Sequence, residues 1–214
     1  MSGTKAGALA GWAASQGRDF LRFDYFGHGV SDGQFEAGTT TRWRADALAI
    51  LDTLTDGPVI LVGSSMGGWL ACLVALARPE RIAGLVLIAP AADFTERLIA
   101  PGLSRPARAA LRRDGVWRRS SDYDPQGYPI TRALLEDGAR WSILPGPVPI
   151  EAPVRILQGG ADPDVPWRHA LELAMAMKSA DLVFSLIRDG DHRLSRPEDL
   201  ARLTAFAAEL ADRD

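Results

Sequence analysis

The segment VILVGSSMGGWLACLVALARPE, Val59 to Glu80, runs from an apolar stretch through a turn of small residues into a helical pattern. Val59-Ile60-Leu61-Val62 reads as a buried strand, and the residues after Gly68 read as a helix that ends at Pro79. Between them, Gly63-Ser64-Ser65-Met66-Gly67 fits the pattern G-x-S-x-G. That pattern gains meaning only where a strand precedes it and a helix succeeds it. In such a turn Gly63 and Gly67 let neighbouring backbones approach, and Ser65 is pushed out at the carboxyl end of the strand. The helix start leaves N–H groups without partners, the Met66 N–H foremost, which can stabilise an oxyanion. Ser65 is therefore a candidate nucleophile and Ser64 a turn residue. The competing reading is a purely structural glycine turn.

The same alternation extends in both directions along the chain. Phe20 to Tyr25 reads as a strand before the turn-rich Gly27–Gly33. A helix with Trp43, Ala47, Ile50, Leu51 and Leu54 on one face is stopped by Asp56-Gly57-Pro58. Further strands are expected at Ile82–Ala89, Val154–Leu157 and Leu182–Ile187. The final helix opens with Ser195 and Glu198 at capping-box spacing and presents Leu200, Leu203, Ala207 and Leu210 on one side. Apolar strands separated by helices imply a parallel sheet covered on both faces, so the fold class is α/β. Pro101 to Pro153 breaks the rhythm, with no clear strand, many Pro and Gly residues, and arginines at 105, 108, 112, 113, 118 and 119. It reads as an insertion over the sheet, within a single domain spanning 1–214. The arginines read as a solvated helix face or as an attraction for an anionic substrate.

Composition narrows the classes. With 214 residues, 47% of them hydrophobic, and a net charge of −3, the chain can bury one sizeable core. It carries no charge excess that would draw it to nucleic acid or an anionic membrane. No apolar run approaches the ~20 residues of a membrane span. Cys72 is the lone cysteine and cannot form an internal disulfide. With no convincing leader, since Ala6 to Ala14 reads as a helix stopped by Gly17, a reducing, cytoplasmic location is expected.

A serine nucleophile needs a base, and the base needs an acid to orient it. Of the three histidines, His28 lies in a glycine-rich loop and His169 in a helix pattern. His192 comes after the last strand, in a loop at a strand's carboxyl end, where functional loops of parallel sheets gather. Asp162 or Asp164, in the loop after the preceding strand, is placed to reach it, and Asp191 is a weaker candidate. The chain order serine, aspartate, histidine is that of α/β-hydrolases.

The stretches FDYFGHGVSDG (23–33), GPVILVGSSMGGWLACLVALARPERI (57–82) and GGADPDVPW (159–167) resemble the α/β-hydrolase superfamily over essentially the whole chain. They look most like the branch of the mitochondrial palmitoyl-protein thioesterase and mycophenolic acid acyl-glucuronide esterase, with its bacterial relatives. Gly115-Val116-Trp117, Tyr123 and Gly127-Tyr128 look similar to that branch's cap. The resemblance implies Ser65 as nucleophile, Asp162 as acid, His192 as base and Asp164 as a loop residue. It also implies earlier strands and a loop carrying a second oxyanion donor. The first residues, Met1 to Ala6, resemble the family's sequence just after that loop. An N-terminally truncated α/β-hydrolase fold is therefore expected, one oxyanion donor short and impaired in activity to that extent; either the chain is a fragment, or an oligomeric or other partner covers the exposed sheet edge.

The expected function is cleavage of a small-molecule acyl ester or thioester through an acyl-enzyme, with no metal or organic cofactor. Two alternatives stay open. One is a C–C bond hydrolase using the same three residues. The other is a non-catalytic α/β-hydrolase-like binding protein left by loss of the N-terminal oxyanion loop. Among enzymes, Ser65 in place of Asp argues against haloalkane and epoxide chemistry.

Overall fold

A computed structural model describes residues 3–121, 124–144 and 146–212. Tyr123 lies outside the described residues, as do Met1 and Ser2. The elements in chain order are α1 (Thr4–Ser15), α2 (Thr40–Leu54), β1 (Val59–Ser64), α3 (Met66–Ala77), β2 (Ile82–Ile88) and α4 (Arg105–Asp114). Next come β3 (Val116–Ser121), β4 (Asp124–Thr131), α5 (Arg132–Gly138), β5 (Val154–Gly159), α6 (Trp167–Ala176), β6 (Leu182–Ile187) and α7 (Pro197–Ala211). The main sheet is parallel, in the order β1-β2-β5-β6.

Both faces of this sheet are covered, which explains why its central strands read as unbroken apolar runs. Successive side chains of a strand point to opposite faces. Leu85 and Leu87 of β2, with Val154 and Ile156 of β5, pack against Trp43 and Leu51 of α2, Trp69 and Leu73 of α3, and Leu173 of α6. The intervening Val86 and Ile88, with Leu157, meet Leu9 of α1 and Leu203, Ala207 and Leu210 of α7. Arg155 points to that second face, buried, and pairs with Glu209 of α7 and Asp181.

Three expectations are corrected. Phe20–Tyr25 runs without a ladder partner among the described residues and is no strand. Its residues have strand chemistry, but a strand exists only through a neighbour's hydrogen bonds. Among the described residues β1 is the edge of the sheet and pairs with β2 alone, and Val62 is 37% exposed and Leu21 of the unpaired segment 41%. The inserted stretch does contain strands, the antiparallel pair β3–β4. Its prolines, Pro125 and Pro129, mask the signal, yet a two-stranded ribbon tolerates them because each strand has a free edge. The last helix is capped one residue later than expected. Arg196 is its N-cap, and the Asp199 carboxylate accepts from the Arg196 N–H at 3.3 Å. Ser195 instead donates to the Arg193 carbonyl.

Candidate active site

The carboxyl ends of β1, β5 and β6 bring three side chains together. At the end of β1, Gly63 permits the sharp turn: a Cβ there would lie 2.2 Å from the Gly67 carbonyl oxygen. Gly67 itself has open space where its own Cβ would be, so of these two motif glycines only Gly63 is required sterically at its Cβ. Ser65 is forced to φ +55, a region non-glycine residues rarely adopt and one associated with functional strain. Its N–H donates to the Ile88 carbonyl, and its carbonyl accepts from the Ala91 and Gly68 N–H groups, which pins the turn against the end of β2.

Ser65 occupies the N-cap of α3, where a serine normally accepts a hydrogen bond from the first turn. It makes no such bond. Its Oγ lies 3.0 Å from His192 Nε2 instead. Met66 is the first residue of α3, and its N–H is among those a helix start leaves without an intrahelical acceptor.

The loops after β5 and β6 are stitched together so that Asp162 faces His192. The Gly160 N–H donates to the Ile187 carbonyl at 2.7 Å and the Ala161 N–H to the Gly190 carbonyl at 3.0 Å. A Cβ at Gly159 would sit 2.5 Å from the carbonyl oxygens of Gly190 and Asp191, so only glycine allows this approach. Asp162 Oδ2 is 2.8 Å from His192 Nδ1, while its Oδ1 accepts from the Asp164 and Val165 N–H groups at 2.9 Å each. Burial opposes the Asp162 charge. The bond from His192 and the backbone N–H groups of Val165 and Asp164 outweigh it and hold the carboxyl below its ordinary value. An ionised carboxylate only accepts, so His192 carries its proton on Nδ1 and leaves Nε2 as acceptor for the Ser65 hydroxyl.

The other candidates fall elsewhere. Asp164 turns outward and pairs with Arg119 of β3 at 3.3 Å. Asp191 caps its own loop by accepting from the Leu194 N–H. His169 is buried in α6 with Nε2 2.8 Å from the Ala92 carbonyl, and burial lowers its pKa. His28 packs among Tyr25, Phe35 and Trp43. Of the arginines in the insertion, Arg118 meets Glu36, Arg119 meets Asp164, and Arg113 meets Asp114.

Asp162, Asp164 and His192 place ligand atoms within 4.8 Å of one another. Those atoms are engaged with one another and with Arg119: Asp162 Oδ2 with His192 Nδ1, and Asp164 Oδ1 with Arg119. Gln158, fully buried at the end of β5, is a site residue that the sequence reading misses. Its Nε2 donates to the Val165 carbonyl at 3.0 Å and reaches Asp162 Oδ2 at 3.4 Å, bracing the acid loop. A polar residue closing an apolar strand is the available signal. Among the described residues no helix is long and apolar enough to cross a membrane.

The family described as Hydrolase_4, serine aminopeptidase S33, matches residues 2–122. The human mitochondrial palmitoyl-protein thioesterase ABHD10 is 37% identical over 216 aligned residues, covering 100% of this chain and 70% of the relative. The structure of alpha/beta hydrolase domain-containing protein 10 from mouse superposes with a TM-score of 0.90 at 38% identity, covering 99% of this chain and 85% of that one. A solved chain from Agrobacterium vitis S4 superposes with a TM-score of 0.95 at 46% identity, covering 98% and 83%.

Proposed function

Because this chain belongs to the Hydrolase_4 (serine aminopeptidase, S33) family of α/β-hydrolases, we propose that it cleaves carboxylic ester or thioester bonds with Ser65 as nucleophile, His192 as base and Asp162 as acid. What carries this reading is one contact: the Ser65 hydroxyl declines the helix cap and lies 3.0 Å from His192 Nε2. The thioester side of the reading is supported by the name of the mitochondrial relatives, palmitoyl-protein thioesterase.

His192 Nε2 takes the Ser65 proton as Oγ attacks the acyl carbon. The tetrahedral oxyanion accepts from the Met66 N–H, aided by the positive end of the α3 dipole. The imidazolium, held by ionised Asp162, then protonates the leaving alcohol or thiol. Water, deprotonated by the same nitrogen, attacks the acyl-enzyme; the bond from Ser65 Oγ to the acyl carbon breaks, the acid leaves, and His192 returns the proton to Ser65 Oγ. Every proton moves through His192, so these steps need no metal and no organic cofactor. Residues 101–153 act as a cap, with the β3–β4 ribbon tied to the acid loop through Arg119 and Asp164 and to the opposite loop through Arg118 and Glu36.

A fluorophosphonate probe is expected to label Ser65, and Ser65→Ala to abolish both labelling and hydrolysis of p-nitrophenyl acetate. Labelling or turnover of the variant equal to that of the wild type would overturn the proposal.

A further inference from the structure

On the face of the molecule formed by α2, α3 and the residues after α5 lies a pocket of about 200 Å³, lined by Arg44, Leu73, Leu76, Ala77, Arg140 and Trp141 among others. Its charge is one-sided. Two arginines are among its lining residues and no aspartate or glutamate is. The nearby acids are committed elsewhere: Asp137 accepts from the Thr41 N–H and hydroxyl at 2.7 Å each, and Asp52 holds Arg78 at 2.8 Å.

Arg44 is the unusual member. Its guanidinium carbon stands 4.5 Å from the centroid of the Trp141 ring. Its Nε is buried with no hydrogen-bond partner among the described residues, which costs stability and leaves a ligand in the pocket only the outer guanidinium nitrogens to meet. Burial, and then the charge of Arg78, weaken its hold on its proton, which an anion in the pocket would reverse. The stacking surface is pre-organised. Trp141 Nε1 donates to Thr41 Oγ1 at 2.7 Å, and that hydroxyl donates in turn to Asp137.

We infer that this pocket is a binding site for a small carboxylate with a flat or short apolar body. The planar guanidinium matches a carboxylate in two-point contact. Leu73, Leu76, Ala77 and Trp141 in its lining favour an apolar body and disfavour a compact, strongly hydrated phosphate. None of the lining residues belongs to the Ser65–His192–Asp162 array, so the site stands apart from the proposed chemistry.

The test is isothermal titration calorimetry of the whole protein with sodium benzoate, with benzyl alcohol and inorganic phosphate as comparison ligands. Benzoate is expected to bind with one-to-one stoichiometry, at least tenfold more tightly than either comparison ligand. Arg44→Gln is expected to weaken benzoate at least tenfold and Arg140→Gln at least threefold. Arg44→Lys, which keeps the charge but loses the planar fork, falls between wild type and Arg44→Gln. Should Arg44→Gln fail to fold, Arg140→Gln decides alone. Ser65→Ala leaves benzoate binding unchanged, so this result stands or falls separately from hydrolysis. Absence of saturable binding, indifference to both arginine variants, phosphate binding as tightly as benzoate, or loss of binding in Ser65→Ala would each overturn the inference.

Discussion

Replacing Asp162 by Asn separates its electrostatic role from its structural one. Asp162 Oδ1 accepts from two backbone N–H groups, Asp164 and Val165 at 2.9 Å each, and an Asn carbonyl oxygen can take over both bonds. The amide nitrogen then faces His192 Nδ1, which must become the acceptor, so Nε2 carries the proton and meets a Ser65 hydroxyl it can no longer deprotonate. The expected loss in kcat is ~10⁴, or roughly 5 kcal/mol of barrier. KM is expected to stay within about threefold, because uniform binding is untouched. Asp162→Ala, by contrast, also strands the buried Val165 N–H, at about 1–3 kcal/mol. That is several degrees in Tm, at about 2–4 °C per kcal/mol for a chain of this size.

Linkage supplies a second readout for the same variant. The Asp162 pKa is depressed in the folded chain. Its charge therefore contributes stability above the unfolded carboxyl range, and this is lost as pH falls through the depressed value. Urea denaturation from pH 6 down to pH 2 should show that acid-side loss in the wild type and a shallower one in Asp162→Asn. Steady-state hydrolysis of p-nitrophenyl butyrate gives the kinetic comparison, with Asp164→Asn as control. If Asp162→Asn retains activity within tenfold of wild type, or if Asp164→Asn is the more damaged enzyme, the assignment of the acid is refuted.

Two further outcomes are expected. Gly63→Ala would put a methyl 2.2 Å from the Gly67 carbonyl oxygen, a backbone atom that cannot swing aside. It should cost at least about 1–3 kcal/mol, whereas Gly67→Ala meets nothing within 4 Å. Thermal melts of the pair check this, and equal Tm values would contradict it. Cys72 is fully buried in α3, and burial pushes its thiol up to about 12. Iodoacetamide at pH 8, with mass spectrometry as the readout, should leave it unmodified in the folded protein and modify it in guanidinium. Labelling of the folded chain at the rate of a free thiol would contradict the packing described.

What the chain encodes locally is legible without coordinates. The strand–turn–helix around Ser65 is a run of adjacent residues whose chemistry suffices to form it. The apolar runs of β2 and β5 announce a sheet covered on both faces, because nearly every position in them is buried. α7 shows its inward face through Leu203, Ala207 and Leu210. Its start is harder to place because Ser195 and Arg196 compete for the cap, and Arg196 wins through its pairing with Asp199 and Asp189.

Non-local pairing is a different matter. Phe20–Tyr25 has the residues of a strand, but a strand needs a neighbour, and none of the described segments supplies one. The β3–β4 ribbon is hidden by its prolines and forms because each strand finds the other. The spacing of Asp162, Asp164 and Asp191 alone leaves all three as candidates. The choice rests on bonds between loops 30 residues apart, with Gly159 letting their backbones touch so that Asp162 faces His192 while Arg119 draws Asp164 away. Sequence determined which residues were chemically able to act, because reactivity belongs to side chains and short turns. Tertiary structure decided which of them meet, because a hydrogen bond of 2.8 Å between distant loops depends on every contact that positions their backbones.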